Sequence, residues 1–193
     1  MSIEINDRDA LIVVDVQNDF CPGGALAVAE GDSIVPDINA LLPRFSTRVF
    51  TRDWHPADHC SFSGEPQFVD KSWPPHCVAN TTGAQFHPAL EVPKDAVVID
   101  KGTDSTKEAY SGFDGTALAD TLRARGIHRV FVCGLATDYC VKATVLDAKQ
   151  NGFETFVIED LCRGVNIPAG SADTAINDMK QAGVHVARSG DIA

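Results

Sequence analysis

The chain has 193 residues, 44% of them hydrophobic and 22% charged, a composition that suits one globular domain, residues 1–193, with a continuous core, and excludes a disordered chain. Lysine and arginine number 16 against 27 aspartate and glutamate, and the resulting net charge of -11, with no basic cluster, argues against nucleic acid and anionic membrane as partners. The apolar runs are too short to span a bilayer, and the opening MSIEINDRDALIVV has acids where a signal peptide has basic residues, so a cytoplasmic protein is expected.

The first apolar run, ALIVVDV (10–16), reads as a buried strand that ends on an acid, Asp15. GDSIVPDINALLPRF (31–45) places Ile34, Val35, Ile38, Leu41 and Leu42 at helical spacing, with Asp32 as the expected N-cap. RVFTRDW (48–54) is the second strand. A stretch of roughly forty residues, 54–93, then shows several Pro, Gly and His and no period, and a loop of that length is usually functional. DAVVIDK (95–101) reads as a strand closing on Lys101, and FDGTALADTLRARG (113–126) as a helix with a glycine stop at Gly126. RVFVCGL is the fourth strand, DYCVKATVLDAKQNG a helix, ETFVIED a strand, SADTAINDMKQAG a helix and VHVARS a last short strand. Apolar strands alternating with helices predict an α/β fold: a three-layer αβα sandwich around a central, mainly parallel sheet of about six strands.

Ligands of such sheets bind beyond the carboxyl ends of the strands. The first strand leads into DVQNDFCPGG, which lacks the G-x-G-x-x-G of a dinucleotide site, so cofactor-dependent hydride chemistry is not expected. Asp15, Asp53, His55 and Lys101 all stand at strand ends, and Cys140 follows the fourth strand at the head of a helical pattern. Singly, Asp15 and Lys101 read as ordinary strand ends and Cys140 as a packing residue. Together they make a nucleophile system, with Asp15 as proton carrier, Lys101 and the helix terminus favouring the thiolate, and backbone N–H groups of LATDYC able to hold an oxyanion. Cys133 and Cys162 read as core thiols, and Cys21, Cys60 and Cys77 as incidental packing thiols near the site. With no secretion signal and no C-x-x-C pair, the six cysteines should stay reduced.

Asp53 and His55 are two apart and project from one side of a strand, a pairing that suits a borderline divalent cation. His76 returns from the irregular loop, stiffened by Trp73, Pro74 and Pro75, and His59 and Glu65 are alternative further ligands. Zinc is the first expectation for the ion, with iron and manganese as alternatives. His87, before Pro88, reads as a turn residue.

The blocks DVQNDFCPGGALAV, DWHPADHCSF, WPPHCVANTTGAQFHP, KGTDSTKEAYSGF and CGLATDYCVKATVLDA, in that order, resemble the nicotinamidase/pyrazinamidase branch of the isochorismatase-like cysteine hydrolases. The resemblance runs from about residue 9 to residue 165. It implies an Asp15–Lys101–Cys140 triad and a metal held by Asp53, His55 and His76, with His59 or Glu65 left open as an extra ligand. It also implies a cis peptide at Leu135–Ala136, an oxyanion site at the Ala136 and Cys140 N–H groups, and a bracing role for Asp138. Phe20, Trp73 and Tyr110 fall at the positions of its substrate-ring pocket. The implied activity is hydrolysis of nicotinamide, and of pyrazinamide, to the acid and ammonia through a thioester, within NAD salvage; the resemblance also implies that no organic cofactor is needed. Two other readings compete: a carbamoyl or aliphatic amidase of the same superfamily, which would not need the metal set, and a non-catalytic metal-binding or thiol-sensing module. A homo-oligomer stays open.

Overall fold

The structure, a computed structural model, describes residues 2–193. Six strands, β1 (Asp9–Val14), β2 (Thr47–Asp53), β3 (Val97–Lys101), β4 (Arg129–Leu135), β5 (Glu154–Arg163) and β6 (His185–Ala187), form one sheet in the order β3-β2-β1-β4-β5-β6. All five pairings are parallel, so the sheet is wholly rather than mainly so. The helices are α1 (Val35–Leu41), α2 (Leu118–Ala124), α3 (Lys142–Gln150) and α4 (Ser171–Gln181).

The six residues of β1, DALIVV, are all buried, and six of the seven in β4 are buried as well. Such strands need cover on both faces, which is why they read as unbroken apolar runs. From β1 the chain steps outward through β2 to β3, then returns to β4 and runs the other way. With right-handed crossovers, the connections of the two halves lie on opposite faces. Phe45, Phe131 and Phe156 pack in series, with centroid distances of 5.3 and 4.5 Å. Burying each such ring stabilises the fold by about 1.5–3 kcal/mol.

The order of strands reverses between β1 and β4, and here the two backbones close tightly. Val14 pairs with Gly134, whose φ is +117°, and a Cβ at Gly134 would run into the Val14 backbone. Only glycine fits that position.

Three local expectations are corrected. Helix α1 begins at Val35 with a proline in its first turn, and its N-cap is Ile34, so Asp32 does not cap it. The proline's fixed φ starts the helix without a side-chain cap. Helix α2 starts at Leu118, five residues into the anticipated stretch, although Gly126, with a φ of +70°, follows its end as expected. Strand β5 continues to Arg163, past a register shift opposite Val132 and Gly134. The segment 54–96 crosses from β2 to β3 with no helix or strand of its own. No helix of the described residues is long and apolar enough to cross a membrane.

Candidate active site

Asp15 follows the last residue of β1 with a φ of +48°, a left-handed turn that takes the chain off the sheet. It is wholly buried, its N–H bonds Thr51 O at 3.1 Å, and Thr51 Oγ1 donates to Asp15 Oδ1 at 2.6 Å. Asp53 and Lys101 are register partners on β2 and β3, so their side chains leave neighbouring strands side by side. The Lys101 ammonium pairs directly with Asp53 Oδ1 and stands 2.9 Å from Asp15 Oδ2 and 3.3 Å from Cys140 Sγ. Asp15 Oδ2, beside that ammonium, has no aligned hydrogen-bond donor and is the oxygen left open to take a proton. Carboxylate oxygens of Asp15 and Asp53 and the Cys140 sulfur all lie within 4.8 Å of one another.

Burial governs the protonation of this cluster. It raises the Asp15 carboxyl above its usual range, although Lys101 pulls the other way. Burial opposes the charge on Lys101, but Asp15 and Asp53 outweigh it and hold the ammonium well above its ordinary pKa. Burial also lifts the Cys140 thiol well above its ordinary value; Lys101 lowers it, and both carboxylates raise it further. These surroundings favour a neutral thiol beside a carboxyl of raised basicity, with a cationic lysine between two acids. The expected thiolate is not stored in advance, because two carboxylates and full burial outweigh one ammonium.

Between β4 and α3 the chain makes a π turn, Thr137–Val141, after a cis peptide at Leu135–Ala136. Cys140 therefore sits in this turn, ahead of α3 rather than inside it. Ala136 O accepts from the N–H groups of Tyr139 and Val141 and passes over that of Cys140. Asp138 accepts from Val165 N at 2.9 Å, Asn166 N at 2.8 Å and Ser171 Oγ at 2.5 Å, tying the turn to the first residue of α4 and the segment before it.

Cys140 and Ala136 open onto a cavity walled by Phe20, Trp73 and Tyr110. Trp73 Nε1 donates to Tyr110 Oη at 3.1 Å. Three further walls, Leu26, Tyr139 and Val165, went unforeseen. Tyr139 meets Trp73 edge to face at 4.9 Å, and its adjacency to Cys140 in DYC was the one signal for it. Leu26 and Val165 come from remote segments and carry no local signal.

Asp53 faces this cavity too, together with His76. Asp53 Oδ2 lies 3.4 Å from His55 Nε2 and 4.0 Å from His76 Nε2, and the three ligand atoms fall within 4.8 Å of one another. The other ring nitrogen of each histidine meets a backbone carbonyl at 2.8 Å, His55 Nδ1 at Gly102 O and His76 Nδ1 at Pro74 O. With Nδ1–H donating, each Nε2 presents a lone pair to the cluster, the arrangement a bound cation requires. Burial holds His76 neutral down to a pKa of about 4. Burial opposes the charge on His55 as well, but the bond to Asp53 prevails and raises it. Burial would raise the Asp53 carboxyl, yet Lys101 and the two histidines hold it well below the usual carboxylate range. These donors fit a divalent metal ion. Neither His59 nor Glu65 joins the three-residue ligand cluster, although the His59 ring lies only 4.1 Å from that of His55. His59 directs Nδ1 to Ser61 Oγ at 2.8 Å and Nε2 to Lys107 O at 3.1 Å, and Glu65 is exposed.

Two residues of the turn after β1 support the cluster and were not foreseen as such. Gln17 is fully buried; its Nε2 donates to Asp53 O and Ala84 O at 2.8 and 2.9 Å, and its Oε1 accepts from Asp53 N at 2.8 Å. Asp19 Oδ2 accepts from Cys77 N at 2.7 Å. Of the remaining thiols, Cys21, Cys77, Cys133 and Cys162 are buried, whereas Cys60 is exposed and is not the packing thiol anticipated. His87 lies in a turn, where its carbonyl accepts from Leu90 N.

Known proteins share this architecture. The Escherichia coli nicotinamidase is 45% identical over 195 residues, covering 90% of this chain and 92% of that one. The pyrazinamidase of Pyrococcus horikoshii, solved in complex with zinc, superposes with a TM-score of 0.86 at 46% identity, covering 94% of this chain and 99% of that one. A protein from L. infantum, solved in complex with nicotinate, gives a TM-score of 0.90 at 37% identity over 100% of this chain and 99% of that one. Residues 9–191, from the first residue of β1 to the turn after β6, match the isochorismatase domain, and the chain belongs to that family.

Proposed function

We propose that the protein is a metal-dependent nicotinamidase that hydrolyses nicotinamide to nicotinate and ammonia through a thioester on Cys140. One observation carries this reading: Lys101 touches Asp15, Asp53 and Cys140 at once, so a protonated thiol with its base and a metal ligand set form one continuous cluster under an aromatic slot. The similarity to nicotinamidases over nine-tenths of the chain supports the substrate.

The ring of the amide lies in the slot of Phe20, Trp73 and Tyr110, with its carbonyl carbon facing Cys140. As sulfur attacks, its proton passes to Asp15, whose raised pKa makes it a stronger base than an exposed carboxylate. The negative charge collects on the amide oxygen, where the N–H groups of Ala136 and Cys140 would receive it. Asp15 gives its proton to the amide nitrogen, the C–N bond breaks, and ammonia departs. Water then attacks the thioester, losing its proton to Asp15. The C–S bond breaks, the proton returns to sulfur, and nicotinic acid leaves, losing its carboxyl proton to solvent to become nicotinate. Lys101 remains cationic throughout and offsets the charge that moves between Asp15 and Cys140.

Asp53, His55 and His76 would hold the metal ion, zinc by the character of the donors and by the zinc complex of the P. horikoshii relative. When bound, such an ion supplies a Lewis acid that can anchor the ring nitrogen and a water. The chain, one domain spanning 1–193, acts without an organic cofactor or nucleic acid. Six free thiols suit a reducing compartment, and we place the protein in the cytoplasm within NAD salvage. The test is release of ammonia and nicotinate from nicotinamide with and without a metal chelator. Equal release of both products, lost with chelator and restored by zinc, supports the reading. Activity indifferent to the metal would move it to the metal-independent amidases.

A further inference from the structure

We propose that Asp19 is a positioning residue for the metal ligand set, holding His76 in place through the backbone of Cys77. The inference rests on the metal reading above and deepens it.

His76 arrives on an irregular segment, so nothing like a strand fixes its direction. The peptide that joins it to Cys77 is instead pinned from two sides. Its N–H donates to Asp19 Oδ2 at 2.7 Å. One residue further, Cys77 O accepts from the N–H of His55 at 3.0 Å, which ties the residue after His76 to the backbone of the other histidine. Cys77 itself has a φ of +45°, a left-handed conformation that non-glycine residues adopt only when their surroundings hold them there. The carboxylate of Asp19 is the charged acceptor that does so, and such bonds are stronger than neutral ones. Its second oxygen accepts from Ala25 N at 3.2 Å, so the carboxylate is itself held.

Two more features point the same way. Phe20, beside Asp19, packs its ring 5.5 Å from that of His76. Gly83 leaves just enough room for the carboxylate: a Cβ there would overlap the Asp19 side chain. Asp19 touches neither the cavity nor a ligand atom, so its influence on the metal runs through geometry.

The test is the zinc dissociation constant of the full-length protein, measured by competition with a chromogenic chelator, beside the thermal melt of the metal-free protein. For Asp19→Ala the expected result is zinc binding about 10–100-fold weaker than wild type with a cooperative metal-free melt retained. Asp19→Asn, which keeps an acceptor oxygen but not the charge, should recover part of the loss. Gly83→Ala acts on the same carboxylate from its other side, should weaken zinc in the same sense, and carries the test if Asp19→Ala does not fold. A merely structural Asp19 would lower the melting temperature and leave the zinc constant unchanged, and that result in Asp19→Ala or Gly83→Ala overturns the proposal. Wild-type protein that binds no zinc would overturn both the proposal and the metal reading; zinc binding by wild type and by these variants alike would overturn the proposal alone.

Discussion

At Asp15 one side chain is asked to take a proton, give it up and take another, and its surroundings are built for that. The carboxylate has Thr51 on one oxygen and the thiol and Lys101 near the other, with no water-exposed surface. Asp15→Asn keeps the shape and removes the base. Turnover of nicotinamide should fall by about 10²–10⁴-fold, with zinc still bound; a rate within a few-fold of wild type would assign the base elsewhere. The histidines give a prediction in pH. A proton competes with a metal for Nε2, and Asp53 favours the protonated form of His55 above the ordinary 6.5, while burial keeps His76 neutral down to about 4. Zinc affinity should therefore begin to decline above pH 6.5 as pH falls, and decline more steeply near about 4. Titrations with zinc across that range check it, and a flat affinity would contradict it.

The elements differ in what each needed from the sequence. The strands were legible because a parallel sheet covered on both faces requires unbroken apolar runs, and DALIVV and RVFVCGL have little else to be. Asp15, Asp53, His55, Lys101 and Cys140 were legible as a group for the same reason: strand ends in one parallel sheet share a rim. What stayed hidden depends on distance in space without a local pattern. The double role of Lys101 comes from the register of β2 against β3, and Gln17, Leu26 and Val165 act through contacts with remote segments. The π turn was also hidden, since TDYCV has no feature that separates it from the first turn of a helix. Asp138 braces that turn through three donors. Asp138→Ala should leave them unsatisfied and cost about 1–3 kcal/mol. If the turn aims the oxyanion donors, kcat should fall by an order of magnitude while zinc affinity holds. Unchanged kcat in a destabilised variant would confine Asp138 to the fold.

Over the whole molecule the same burial that stores the thiol proton sets a limit at high pH. Cys133 and Cys162, both in the core, have thiols raised by burial, the first well above 9.0 and the second to about 12. The unfolded chain ionises near 9.0 and the folded one does not, so their contribution is fully present below that pH and is lost as pH rises through the folded values. Denaturant melts in reducing buffer should show stability falling above pH 9 by up to roughly 1.4 kcal/mol per pH unit for each such thiol. Cys133→Ala should lessen that slope and leave turnover near wild type; a stability that stays flat would contradict the assignment. The sheet, the aromatic slot and the metal ligands all serve to bring one sulfur to one carbonyl carbon in a dry place. The most direct test is steady-state ammonia release from nicotinamide by wild type and by Cys140→Ala, each with zinc content measured. Turnover by the wild type and background release by a folded, zinc-bound Cys140→Ala are expected; release by that variant at a rate near wild type would contradict a thioester on Cys140.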